Sequence, residues 1–188
     1  MHMCYDIPPF LPKHHLSLKV KNILYLTVGK VSEFPKLWDI RLKQYRLGRR
    51  DVVIIQTGAH DMAHIGIQDT MNVSLVLVNM LSDIQKKSEK DGFKLVFVTT
   101  PPFPESDKRE TKGSRNNFAL AAVNRKWKSE LSLRNVHVFD EFSVILAQQD
   151  NYVCGSHYLC RIIKNNKTLL VGNVGITAAN MILSKEVC

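Results

Sequence analysis

Two patterns of apolar and polar positions alternate along this chain. Asn22–Val28 (NILYLTV) is apolar and rich in residues that favour extended backbone, and it predicts a strand. Asp51–Gln56 (DVVIIQ) is the clearest case, a short β-branched run bounded by a charge and by Thr57-Gly58. Phe93–Thr99 (FKLVFVT) predicts another strand, stopped by Pro101, Pro102 and Pro104. Asn135–Phe139 (NVHVF) and Leu169–Val171 predict shorter ones. Between them the period changes to that of a helix. Within Gln68–Lys87, residues Val73, Val76, Leu77, Met80, Leu81 and Ile84 recur at spacings of three and four. Within Asn116–Leu131, Leu120, Val123, Trp127 and Leu131 do the same. Shorter helices are predicted over Phe34–Leu47 and Phe142–Gln149. A last one is predicted over Ile176–Glu186, with Ile176, Ala179, Ile182 and Leu183 inward.

Strands alternating with helices imply βαβ units, hence a mostly parallel sheet covered on both faces. The expected architecture is a three-layer α/β sandwich. Val52–Gln56 is its central strand, with the 22–28 and 94–99 strands on either side, because an unbroken β-branched run suits burial on both faces. Residues 1–18, rich in Pro and His, read as an irregular lead-in, and 19–188 as a single domain. A length of 188 residues suits one such unit with one sizeable core.

Composition narrows the classes. With 45% hydrophobic and 23% charged residues the chain is neither disordered, collagen-like nor a coiled coil. Its longest apolar runs, in Val52–Ile55 and Val73–Leu81, are far too short to cross a bilayer. The net charge of +9 raises phosphates, anionic glycans and membrane headgroups as partners. The basic residues are scattered, however, over Lys13–Lys21, Lys36–Arg50, Lys86–Lys94, Lys108–Lys128 and Arg161–Lys167. No segment joins a basic stripe to the aromatic spacing of a nucleic-acid reader, so no specific nucleic-acid partner is expected.

Cysteine usage leaves two readings open. Cys4, Cys154, Cys160 and Cys188 form no CxxC pair, which argues against a zinc ribbon or a thioredoxin-like site. Three of the four lie late in the chain, which suits disulfides in an oxidising compartment as well as it suits buried thiols. Met1–Lys13 has neither a basic n-region nor an apolar h-region. The expectation is therefore either a cytosolic protein or a chain whose natural start lies further upstream.

Sites in open α/β sheets gather at the carboxyl ends of strands. After DVVIIQ comes Thr57-Gly58-Ala59-His60-Asp61, where Gly58 permits a tight turn or the close approach of a ligand. The structural alternative there is a loop that caps the next helix through Asp61. After FKLVFVT comes the stiff Thr99-Thr100-Pro101-Pro102, which can shape a pocket wall or simply end a strand. Late in the chain His157 lies in Gly155-Ser156-His157-Tyr158. A His held over a sheet's carboxyl edge is a natural general base, although a lone surface His is the commoner case.

Taken in order, strand–GAHD, strand–TTPP, a helix with Asn124, strand–VFDEF, then a late His before a Gly-containing turn and helix, the chain resembles the SGNH/GDSL hydrolase superfamily. Gly58-Ala59-His60-Asp61 stands where that family has a Gly-x-Asn-Asp block, with His60 in place of the usual Asn. His157 stands at its C-terminal Asp-x-x-His block. The Gly-x-His variant, His157-Tyr158, Val174-Gly175 and Ala178–Leu183 are similar to the PC-esterase branch, whose members act on acyl esters of sugars and glycoconjugates. The resemblance covers about residues 50–188. It implies a flavodoxin-like fold, His157 as base, and Gly58 (through its backbone N–H) with His60 as oxyanion donors. It implies no metal and no organic cofactor. The implied partner is a small acyl-ester or glycan substrate.

Two departures bear on activity. The family's nucleophile lies in a Gly-Asp-Ser block after the first strand, and no Gly-Asp-Ser occurs here; the Ser nearest to an early strand is Ser32 in Val28-Gly29-Lys30-Val31-Ser32. The Asp of Asp-x-x-His falls on Cys154, a poor substitute for a carboxylate that orients the base, which leaves Asp150 as the candidate orienting acid. Without a hydroxyl to deprotonate, His157 supports no acyl-enzyme route. The leading expectation is an esterase-type domain that is N-terminally incomplete or inactive. An incomplete chain would belong in the ER or Golgi lumen or outside the cell. The alternative is a non-catalytic domain that binds an anionic glycan or phosphate ligand around Gly58, His60 and His157. A nucleotide-binding domain would need a Gly-rich phosphate loop, and neither GxGxxG nor GxxxxGK[ST] is present.

Overall fold

A computed structural model describes residues 22–28, 30–39, 45–64, 66–103, 116–147, 160–164 and 167–171. For 22–28, 160–164, 167–171 and for Leu37, Ala59, Ala63, His64 and Ile67 it describes the backbone alone. Strand β1 (Asn22–Val28) leads through a 3-10 turn (Val31–Glu33) into the short helix α1 (Phe34–Leu37). Then follow β2 (Asp51–Thr57), α2 (Ala59–His64), α3 (Gly66–Asp91), β3 (Lys94–Val98), α4 (Asn117–Ser132), β4 (His137–Phe139) and α5 (Glu141–Leu146). A hairpin of β5 (Cys160–Lys164) and β6 (Lys167–Val171) comes last.

The four strands β1 to β4 form one wholly parallel sheet in the order β1-β2-β3-β4. Strand β2 lies between its neighbours as expected, with Ile54 opposite Tyr25 on one side and Val96 on the other. Strand order advances in one direction, so right-handed crossovers bring α3 and α4 to the same face. On that face Val53, Ile55, Leu95 and Phe97 pack with Leu77, Leu81 and Ile84 of α3 and with Leu120, Val123, Trp127 and Leu131 of α4. Trp127 meets Phe97 edge-on, ring centroids 5.8 Å apart. Each such buried side chain contributes about 2 kcal/mol or more. The opposite pleat positions Val52, Ile54, Val96 and Val98 are also buried, which fits a sheet covered on both sides.

Several expected elements change in extent. Of the helix predicted over Phe34–Leu47, the described residues show an α-helical turn over Phe34–Leu37. Pro35 sits where a helix start tolerates it, and Gly48 with Arg49–Arg50 forms the turn into β2, closed by the Gly48 N–H donating to Asp51 Oδ2 at 2.9 Å. The segment after Gly58, read as a loop, opens the helix α2, with the Met62 N–H donating to Gly58 O at 3.0 Å. Leu169–Val171 lies in β6, but its partner strand Cys160–Lys164 was not expected, and the two pair antiparallel apart from the main sheet. The predicted helix over Ile176–Glu186 lies outside the described residues.

Candidate functional site

At the carboxyl edge the turns after β1, β2 and β3 are laced together by side-chain-to-backbone bonds. Asp61, in the first turn of α2, is 3% exposed, and its Oδ2 accepts the backbone N–H of Val31 at 2.7 Å. That bond joins the turn after β2 to the turn after β1. Burial raises the Asp61 carboxyl above its ordinary value, and the bond from Val31 opposes the rise in part. Asp61 therefore braces the loops, while the capping alternative gives way because Asp61 already lies inside the helix.

The turns after β2 and β3 are joined through Thr100. Its Oγ1 donates to Thr57 O at 2.7 Å. Its backbone is held from α4 by Asn124, whose Oδ1 accepts the Thr100 N–H at 3.1 Å while its Nδ2 donates to Thr100 O at 2.8 Å. This two-way grip fixes the Thr99–Pro102 turn against the helix. It also accounts for a buried Asn on an otherwise apolar face. One turn of α4 further on, Trp127 Nε1 donates to Ser74 Oγ at 2.6 Å, and Ser74 Oγ donates to Thr70 O at 2.7 Å.

Gly58 is buried with φ +105°, a conformation that disfavours any side chain. A Cβ there would collide with the Trp127 ring, lying 2.8 Å from Cζ3, and would crowd Thr100 Oγ1 at 3.2 Å. The glycine thus admits the indole from α4. Packing alone explains it, a reason that Gly-x-His-Asp read as a motif did not reveal.

The remaining candidates divide by position. His60 is exposed in the first turn of α2, at the same edge as Gly58 and Thr100. Ser32 is exposed in the turn after β1, beside the buried Val31 that Asp61 holds. His157, Asp150 and Cys154 lie outside the described residues, and so does any convergence of His157 on His60.

Sequence reasoning missed a second polar cluster at the same edge, after β3 and β4. Gln56 Nε2 donates to Thr99 O at 3.4 Å and to Glu141 Oε2. Thr99 Oγ1 accepts the Phe142 N–H at 3.0 Å and reaches Asp140 Oδ1 at 3.5 Å. Burial pushes Glu141 up to about 7, against the opposing bond from Gln56. Burial also acts to raise Asp140, but Lys128 at 3.0 Å and the bonds from Ser143 outweigh it and hold Asp140 below the usual carboxylate range. The sequence signals for this cluster were a polar Gln ending an apolar strand and the acidic pair in VFDEF, neither of which showed that they meet. A shallow depression lined by Ser88, Lys94, Asn135 and His137 lies at the amino edge, away from both clusters.

Among the described residues no group of three His, Cys, Asp or Glu side chains could hold a metal ion. No helix among them is long and apolar enough to cross a membrane. No family model matches the chain, and no curated protein matches it. Solved structures with a similar fold include a putative acylhydrolase from Bacteroides fragilis NCTC 9343, at 13% identity over 93% of each chain with a TM-score of 0.44. Another is the acetyl xylan esterase AlAXEase, at 15% identity over 81% of this chain and 74% of that one with a TM-score of 0.43.

Proposed function

We propose that this chain is an esterase-type α/β domain of SGNH/GDSL character, built to receive acyl esters of glycans or glycoconjugates, in which the hydrolytic step is lost. The observation that carries the reading is the bond from the Val31 N–H to Asp61. It ties the turn after β1 to the Gly58-x-His60-Asp61 segment, which supports the reading because such a hydrolase carries its nucleophile after the first strand. That turn carries Lys30-Val31-Ser32, with a buried Val31, and the sequence there offers no Gly-Asp-Ser carboxylate beside Ser32. In this reading His157 retains the position of a base, Asp150 is its nearest orienting acid, and Gly58 and His60 supply the oxyanion donors. A base with only water to activate supports a small residual rate.

The test is turnover of acetylated and short-chain esters by the purified chain, beside a His157→Ala control. Little or no turnover above the control is expected. Turnover well above it would overturn the loss of hydrolysis and require a nucleophile, with Ser32 the first to substitute. Retention of acylated oligosaccharide over its deacylated form supports the ligand class, and equal retention counts against it.

A further inference from the structure

Away from the carboxyl edge, the outer face of α3 has a composition that packing does not explain. The sequence holds two Asn-x-Ser/Thr triplets without an intervening Pro, Asn72-Val73-Ser74 and Asn166-Lys167-Thr168. Asn72 lies in the second turn of α3 and is exposed. Its one hydrogen bond among the described residues is a long one, with its Oδ1 accepting Gln68 Nε2 at 3.5 Å. Its Nδ2, the atom to which an N-linked sugar is joined, makes none among them. On a helix the positions three and four further on share a face. Here they are Leu75, 61% exposed, and Val76, 49% exposed.

The two halves of α3 meet water differently. From Gln68 to Ser82 the one charged residue is Asp69. Beyond that the surface is charged, with ion pairs of Lys86 with Asp83 at 3.0 Å and of Lys87 with Asp91 at 2.6 Å. The first half instead presents Leu75 and Val76 among the neutral amides of Asn72 and Asn79. A bulky hydrophilic group rooted at Asn72 lies beside both apolar side chains and supplies the solubility that charge supplies further along. Ser74 has the opposite setting. It is 1% exposed, and its Oγ accepts Trp127 Nε1 at 2.6 Å and donates to Thr70 O at 2.7 Å. The hydroxyl that an N-glycosyl transfer must read is therefore shut away once α3 packs on α4, while the asparagine that bears the sugar stays outside.

We propose that Asn72 is an N-glycosylation site, filled on the unfolded chain and closed to the transferase once α3 has packed. In the transfer Asn72 Nδ2 bonds to the anomeric carbon of the first sugar of a lipid-pyrophosphate-linked oligosaccharide and gives up one proton. The bond from that carbon to the pyrophosphate oxygen breaks, and the lipid pyrophosphate leaves with the bonding electron pair. The folded protein then carries the glycan on the outer face of α3. The site is independent of the esterase reading, since it needs no ester and no nucleophile. It commits the chain to a lumenal or extracellular setting, the oxidising compartment that its late cysteines also suit.

Occupancy is read on the protein isolated from its own cells. Digestion with peptide N-glycosidase in heavy-oxygen water, then mass spectrometry of the peptide that holds Asn72, is expected to show position 72 converted to labelled aspartate. A peptide with Asn72 wholly unmodified overturns the proposal. The order of events is read on the full chain, placed behind a cleavable secretory signal and translated with endoplasmic-reticulum microsomes. Asn166→Gln leaves Asn72 in the sole remaining triplet, and its product should drop in apparent mass on glycosidase digestion. Asn72→Gln in that background should abolish the drop. This readout holds whether or not a variant folds, because the transfer precedes folding. Asn72→Gln disturbs only the long Gln68 bond and leaves Ser74 to Trp127, so its thermal melt should match that of the unglycosylated parent. The Asn166→Gln chain, folded first and then offered to solubilised transferase with its lipid-linked donor, should gain no glycan. No drop in the translated Asn166→Gln chain, or equal modification of the folded one, overturns the proposal.

Discussion

Replacing Gly58 with alanine separates two explanations of the glycine after β2. If it is there to let a ligand approach the backbone, alanine should disturb binding and leave the stability of the free chain nearly unchanged. If it is there for Trp127, the free chain itself must suffer. Two costs then combine. Holding a non-glycine residue in a sparsely populated backbone region, here at φ +105°, costs about 1–3 kcal/mol. Inserting a methyl into the Trp127 ring, with Cζ3 at 2.8 Å, forces a shift of a fully buried indole, and overpacking of this kind costs about 1–3 kcal/mol. Some movement of the indole offsets the second term, so a loss of about 3 kcal/mol is expected. In thermal unfolding that corresponds to a Tm lowered by roughly 6–12 °C for a domain of this size.

Urea denaturation of wild type, Gly58→Ala, Trp127→Phe and the double variant measures both terms. The smaller phenyl ring should take back the overlap but not the backbone strain. In the Trp127→Phe background alanine should therefore cost about 1–2 kcal/mol less than in wild type, a coupling typical of residues in contact. A cost under about 1 kcal/mol for Gly58→Ala would refute the packing explanation. An unchanged cost in the Trp127→Phe background would place the whole effect in the backbone.

Substitutions at Asp61 and Asp140 test carboxylates of the edge. Asp61→Ala leaves the Val31 N–H without its acceptor and should cost about 1–3 kcal/mol, with faster exchange of the Val31 amide, whereas Asp61→Asn keeps an acceptor and should cost less; thermal melts and amide exchange distinguish them. Asp140 has a lowered folded pKa, so its stabilisation is present above its unfolded value and is lost as pH falls through the lower folded one. Asp140→Asn, which still caps α5, should cost under about 1 kcal/mol near neutral pH and flatten the acid limb of a stability–pH curve measured in urea.

The parts of this fold that were legible in the sequence are those decided by hydrophobic period alone. The run Val52–Ile55 reads as a strand buried on both faces because every one of its side chains is apolar, and all four are buried. The stripe Leu120, Val123, Trp127 and Leu131 is inward as read. The stripe on α3 was read a little off its true face. Leu77, Leu81 and Ile84 are buried, but Val76 is 49% exposed, while Thr70 and Ser74 turn inward. Ser74 is inward because it takes the Trp127 N–H, and a polar residue satisfied from another helix has no hydrophobic signature. The same reason hides the second polar cluster. Gln56 and Glu141 are 85 positions apart, and nothing in the DVVIIQ and VFDEF blocks that hold them signals that they meet. The helix α2 was missed because its residues, Ala59–His64, carry a short polar block that reads as loop until Gly58 is seen to start it.

The three carboxylates gathered at this edge do not respond to pH as one group. Asp61 and Glu141 are both pushed toward their neutral forms by burial, and each is held by a neutral donor rather than a cation. Asp140 keeps its charge because Lys128 shares it. As pH falls from neutral, the edge therefore loses negative charge first at Glu141, well before the ordinary carboxylates of the surface, on a chain whose net charge is already +9.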